Sequence, residues 1–120
     1  MAKSYLPLFR PGDKVTFNVT TAVTAGQVVE VGTADRSIAP AAAASAKVVG
    51  VVGHDAGIGD KATVEVGKPV HLLKASGAIT RGQRLETAAA GAVRTLAAGT
   101  AVYIALTSAA DGASVEALQI

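Results

Sequence analysis

From Lys14 onward the hydrophobic positions fall in short runs of Val, Ile, Leu and Thr. Gly, Asp and Ser-Ala turns separate them about every eight to twelve residues, the pattern of an all-β chain. In Lys14-Val15-Thr16-Phe17-Asn18-Val19-Thr20 the residues Val15, Phe17 and Val19 alternate with polar ones, so they share the buried face of a half-exposed strand. The run Val48-Val49-Gly50-Val51-Val52 is apolar on both faces. That predicts a central strand, with Gly50 at a bulge or a close backbone approach. Read throughout in this way, the chain has strands over 14–20, 27–31, 47–52, 62–66, 70–75, 83–87, 92–96, 101–107 and 113–118. Ala39–Ala46 and Ala88–Ala92 are alanine-rich, but Pro40 and Ser45 interrupt the first and Gly91 the second. Isolated helices are marginal even at about 12–15 residues, so both stretches read as loops.

The segments also repeat. Ala22-Val23-Thr24-Ala25-Gly26-Gln27-Val28-Val29-Glu30 matches Ala78-Ile79-Thr80-Arg81-Gly82-Gln83-Arg84-Leu85-Glu86, and Asp60–Val66 matches Asp111–Ala117 in the same order. Two related β-meander halves follow, about 14–66 and 70–117, in one β domain over 13–120. A meander of this size leaves an apolar face uncovered, which predicts that the two halves close on each other as a small barrel or sandwich. Gly26 and Gly82 then take the positive φ of equivalent turns.

Residues 1–12 fit neither period and form an extended N-terminal arm. Tyr5, Leu6, Leu8 and Phe9 are large apolar side chains on a segment stiffened by Pro7 and Pro11 and flanked by Lys3 and Arg10. Such a segment suits a groove on a partner; the alternative is a lid folded back on its own barrel, a reading that applies more to Phe9 than to Tyr5 and Leu6.

Composition narrows the chemistry. Half of the 120 residues are hydrophobic, yet only four are aromatic, so the core is built of Ala and Val and gains less burial per residue than one of Leu and Phe. Association with partners relieves that shortage. There is no Cys, which removes disulfides, thiolate metal sites and Cys nucleophiles. The net charge of +2 comes from 11 basic and 9 acidic residues that are interspersed, unlike the basic stripe of a nucleic-acid binder. No apolar run reaches the roughly 20 residues of a membrane span, and Pro7, Arg10 and Pro11 break any signal-peptide core. A soluble, uncleaved protein is expected, with no membrane or nucleic-acid partner.

His54-Asp55, in Gly53–Asp60, is the one pair that invites a catalytic or metal reading. It lacks a nucleophile or further ligands, Gly57-x-Gly59 is not completed as a dinucleotide fingerprint, and no Ser sits in a Gly-x-Ser-x-Gly elbow. We read it as a polar loop in a protein that is not an enzyme and has no metal or cofactor.

The chain resembles the capsid decoration, or head cement, proteins of tailed bacteriophages. The resemblance lies in Ala2–Gly12, in Ala22-Val23-Thr24-x-Gly26-Gln27-Val28-Val29, in Lys47–Ala56 leading to Gly59-Asp60-Lys61, and in Ala75–Ile79. It implies a structural virion protein, assembled in the bacterial host cytoplasm, that binds the exterior of the expanded capsid. There it stabilises contacts between major capsid protein subunits, commonly as a homotrimer. The capsid-binding residues are then those of the arm: Tyr5, Leu6, Leu8, Phe9 and Arg10. The alternative function is a small β-barrel module for carbohydrate or a host surface. Such faces present aromatic platforms, and only Tyr103 is available outside the arm and core.

Overall fold

A computed structural model describes residues 14–120. Strands β1 (Lys14–Val19), β2 (Val28–Val31), β3 (Ser37–Pro40), β4 (Val48–Val52) and β5 (Lys61–Glu65) close into a barrel in the order β1-β3-β2-β4-β5. Strands β6 (Val70–Lys74), β7 (Arg84–Thr87), β8 (Val93–Thr95), β9 (Tyr103–Ala105) and β10 (Ser114–Gln119) form a second sheet, β6-β10-β9-β7-β8. The second sheet repeats the first strand for strand. A single parallel bridge, Ala75 to Val93, stands where Val19 pairs with Ile38 in the barrel.

The all-β class and the two related halves are therefore as the periodicity predicts. In β1 the alternation holds residue by residue: Lys14, Thr16 and Asn18 are exposed, while Val15 and Phe17 turn inward and Val19 is buried. Gly26 and Gly82 have φ of 85° and 88°, and in each turn a glutamine Oε1 accepts from the backbone three residues earlier, Thr24 and Thr80, both at 2.8 Å. Gly50 meets both of its expected roles. The β2–β4 register slips between Val29 and Glu30, and a Cβ at Gly50 would collide with the Glu65 carbonyl.

Three expectations change. Ser37–Pro40, of which Ala39 and Pro40 were assigned to a loop, is strand β3. Propensity is overruled there because β3 is gripped from both sides, antiparallel by β2 and parallel by β1. The C-terminal match of the repeat is shifted by two residues. Val19 N–H donates to Asp60 O as Ala75 N–H donates to Ala113 O, so Asp60 corresponds to Ala113 and not to Asp111. Nor do the halves simply close on each other: the first has its own core of Val19, Val23, Val29, Ile38, Val52, Ala62 and Val64.

The junction is nonetheless apolar. Val28, Ala41 and Val51 of the first half join Leu73, Leu85, Val93, Tyr103 and Val115 in the second core. This accounts for the two apolar faces of β4: Val52 fills the barrel and Val51 faces the other half. Polar ties frame the contact. Thr87 Oγ1 donates to Ala42 O and accepts from Ser45 N, each at 2.8 Å, and Gln27 Nε2 donates to Ala90 O at 3.1 Å.

Candidate interaction surface

The arm residues named above, Tyr5, Leu6, Leu8, Phe9 and Arg10, lie outside the described residues. His54 and Asp55 lie within them and are occupied by their own backbone. Thr63 N–H donates to His54 Nε2 at 3.1 Å, and Ala25 N–H donates to Asp55 Oδ1 at 2.8 Å. The second half makes the same two bonds with different side chains, from Glu116 N to Thr107 Oγ1 and from Arg81 N to Ser108 Oγ, each at 3.0 Å. A position where Thr replaces His and Ser replaces Asp without loss of the contact is a turn clamp. Its chemistry is hydrogen-bond acceptance.

The strongest electrostatic feature is also turned inward. Glu86 is fully buried; its carboxylate accepts from Ala97 N and Gly99 N at 2.8 and 2.9 Å and pairs with Arg94. Those backbone donors first, then Arg94, hold its pKa down to about 2. Glu30, at the equivalent place in the first half, accepts from Ala42 N at 3.0 Å. Both carboxylates fix the loop after the third strand of their half.

The half-buried His71 and the buried Tyr103 and Gln119 form a second polar group. The His71 and Tyr103 rings meet edge to face at 6.3 Å, and Gln119 lies opposite Tyr103 across β10 and β9. Burial lowers the His71 pKa, with Gln119 and Glu65 pulling it back in part. Even so, His71 Nε2, Tyr103 Oη and Gln119 Oε1 make no hydrogen bond of good geometry. Tyr103 is completely buried, so it offers no surface platform for a sugar.

Among the described residues no three His, Asp or Glu side chains are placed to share a metal ion. Two shallow clefts of about 390 and 370 Å³ flank Ala90, lined mostly by small residues, with Lys74 in both. The first also carries Ser76 and Asp111, and Asp111 Oδ1 accepts from Gly77 N at 2.8 Å.

What does stand out is an apolar outer face on the second half. On β6 the exposed positions are Val70, Leu72 and Lys74, where the equivalent β1 has Lys14, Thr16 and Asn18. Val70 and Leu72 are 53% and 65% exposed. Leu118 of β10 and Ile104 of β9 continue the row beside Val70, and Leu106 stands close by, 45% exposed. Two equivalent strands thus present different outer positions, β1 polar ones and β6 two apolar ones and Lys74. Sequence reading passed over this face, although setting β1 against β6 within the repeat exposes the contrast between Lys14-x-Thr16 and Val70-x-Leu72.

The family profile for phage cement proteins matches residues 9–120. The chain belongs to the phage cement protein family. That makes it a capsid-associated structural protein of a phage, as the sequence resemblance implies. Among curated proteins no relative was found. Among solved structures, this cement protein is similar in fold to the N-terminal base of the head fiber protein gp8.5 of bacteriophage phi29. The TM-score is 0.71 at 20% identity, over 89% of this chain and 92% of that one. The likeness spans both halves, so the doubled β architecture is shared and not only one barrel.

Proposed function

We propose that this protein binds the outer surface of the expanded phage capsid and braces contacts between major capsid protein subunits, as a homotrimer and without enzymatic activity. The observation that carries the reading is the cement-family match over residues 9–120. The polar chemistry of the body supports it. His54, Asp55 and Glu86 are committed to their own loops, which leaves surface contact as the means of action. A subunit that bridges neighbouring shell proteins needs only modest affinity per copy, because each bound copy stabilises the assembled lattice by linkage.

Tyr5, Leu6, Leu8, Phe9 and Arg10 are the proposed anchor. Burying a large apolar side chain contributes about 1.5–3 kcal/mol. Four of them approach the roughly 8 kcal/mol of a micromolar complex before ordering costs are subtracted. Carbohydrate binding, the competing reading, loses its one candidate platform with Tyr103 buried. The test is occupancy on expanded heads with residues 2–10 deleted. Loss of occupancy with cooperative unfolding retained is the expected result. Full decoration by the truncated chain places the anchor on the body.

A further inference from the structure

We propose that the outer face of β6, β10, β9 and β7 in the second half is buried against a second copy of this chain. This deepens the homotrimer reading above by naming the contact between copies, and it rests on that reading only for the number of copies.

Pairing and hydrogen bonds fix one row of residues across the outside of each half. In the first half Ala41 N donates to Val28 O, Val28 pairs with Val51, Val51 with Glu65, and Glu65 with Lys14. In the second half Leu96 N donates to Arg84 O, Arg84 pairs with Ile104, Ile104 with Leu118, and Leu118 with Val70. The rows therefore correspond position for position, Ala41 to Leu96 at one end and Lys14 to Val70 at the other.

What the two rows meet differs. Ala41, Val28 and Val51 are 1%, 0% and 5% exposed, because they are the part of the first half that packs into the core of the second. Past the junction that row turns polar, with Glu65 half-buried and Lys14 exposed. The second row has no further half in its own chain to receive it. Among the described residues Leu96, Ile104 and Leu118 stay partly open, and Val70 is 53% exposed. Yet every position but Arg84 is aliphatic, including the two where the first row carries Glu65 and Lys14. Leu72 and Leu106 widen the face, at 65% and 45% exposure.

The occupant follows from the equivalence. One row of this architecture is already covered by another β half of the same kind, and the other row keeps large aliphatic side chains at the matching places. A second copy supplies the missing half. The size agrees: four strands about 4.8 Å apart and five residues long give a face of roughly 300 Å². A stable interface takes about 800 Å² from each partner, with an apolar centre and a polar rim. The face provides the centre, and the exposed Arg84, Lys74 and Glu116 provide charges for the rim.

Sedimentation velocity of the full-length chain over a concentration series reads the contact. A trimer whose dissociation constant rises at least about tenfold in Leu72→Lys, and likewise in Val70→Lys, is the expected result. Both sites are more than half exposed, and a lysine at 72 stands opposite Glu116, so the variants keep their fold. Ile58→Lys, at a site 74% exposed on the first half, should leave association unchanged. Equal weakening by Ile58→Lys overturns the proposal. Association undiminished in the Leu72 and Val70 variants overturns it and leaves the homotrimer reading standing. A dimer that both variants dissociate supports it and overturns the homotrimer reading. A parent chain that is monomeric at every concentration overturns both. Variants that associate like the parent but no longer decorate expanded heads assign the face to the shell, which also overturns the proposal.

Discussion

Replacing Tyr103 by Phe removes one oxygen from the centre of the second half, and it should raise stability. Tyr103 is completely buried between β7 and β10, and its hydroxyl makes no hydrogen bond. An unpaired buried polar group costs about 1–3 kcal/mol in desolvation, while the ring keeps its apolar contacts and its edge-to-face meeting with His71 in the variant. A gain of about 1 kcal/mol shifts Tm by roughly 4–8 °C in a domain of 60–100 residues and less in a larger one, so a rise of about 3–6 °C is expected. The pH dependence sharpens the test. Burial pushes the Tyr103 phenol well above its ordinary value, so above about pH 10 the unfolded chain releases this proton and the folded one does not. The unfolded state then binds fewer protons, and stability falls with rising pH by up to about 1.4 kcal/mol per unit. Tyr103→Phe should abolish that share of the alkaline loss. Calorimetry from pH 7 to 11 reads both effects. A variant that melts lower than the parent at pH 7 would show that the hydroxyl is hydrogen-bonded in solution, to Gln119 Oε1 or His71 Nε2, and would refute the reasoning.

Acid should act through Glu86: its folded pKa is depressed to about 2 from 4.5, so its contribution is complete above about pH 4.5 and is lost as pH falls toward 2. In Glu86→Gln that portion of the acid transition should disappear, and an unchanged acid limb would contradict the assignment. Gly50→Ala should cost about 3 kcal/mol or more, because the new methyl meets the Glu65 carbonyl on the neighbouring strand and backbone cannot step aside as a side chain can; chemical denaturation checks this, and a loss under about 1 kcal/mol would refute the close approach. His54→Ala should lower stability by about 0.5–1.5 kcal/mol by leaving Thr63 N without its acceptor, whereas His54→Thr, the residue type used at Thr107, should restore most of it. Neither change should alter decoration of heads.

The parts of the fold that were legible in the sequence are those set by a local rule. Period-two alternation placed β1, the unbroken apolar run Val48–Val52 placed β4, and turn chemistry placed Gly26 and Gly82 at positive φ. β3 escaped because Ala39 and Pro40 carry no strand signal of their own; pairing with Glu30 and Val29 of β2 makes them a strand, while β1 holds the preceding Ser37 and Ile38. The two-residue error in the repeat has a similar origin. A shift of two leaves every side chain on its own face, so Ala62 aligned with Ala113 or with Val115 looks alike until hydrogen bonds fix the register. The His54-Asp55 reading as a loop was available from missing partners, but its clamp role was not, since the acceptors' targets, Thr63 N and Ala25 N, are set by the three-dimensional turn. Tyr103 was placed wrongly because in the predicted strand 101–107 the larger aliphatic residues Val102, Ile104 and Leu106 share the opposite face, yet it is Tyr103 and Ala105 that turn inward. The apolar patch on β6 needed β1 and β6 to be aligned within the repeat; burial then separates Val70 and Leu72 from the inward His71 and Leu73.

The central claim is that this cement-family protein recognises a surface created when the capsid expands. Co-sedimentation of the full-length chain with expanded and with unexpanded heads built from the same major capsid protein tests it most directly. The account predicts saturable binding to expanded heads alone, with the bound copies raising the temperature at which the shell disassembles. Equal binding to both forms, or binding to expanded heads that leaves their disassembly temperature unchanged, would contradict it.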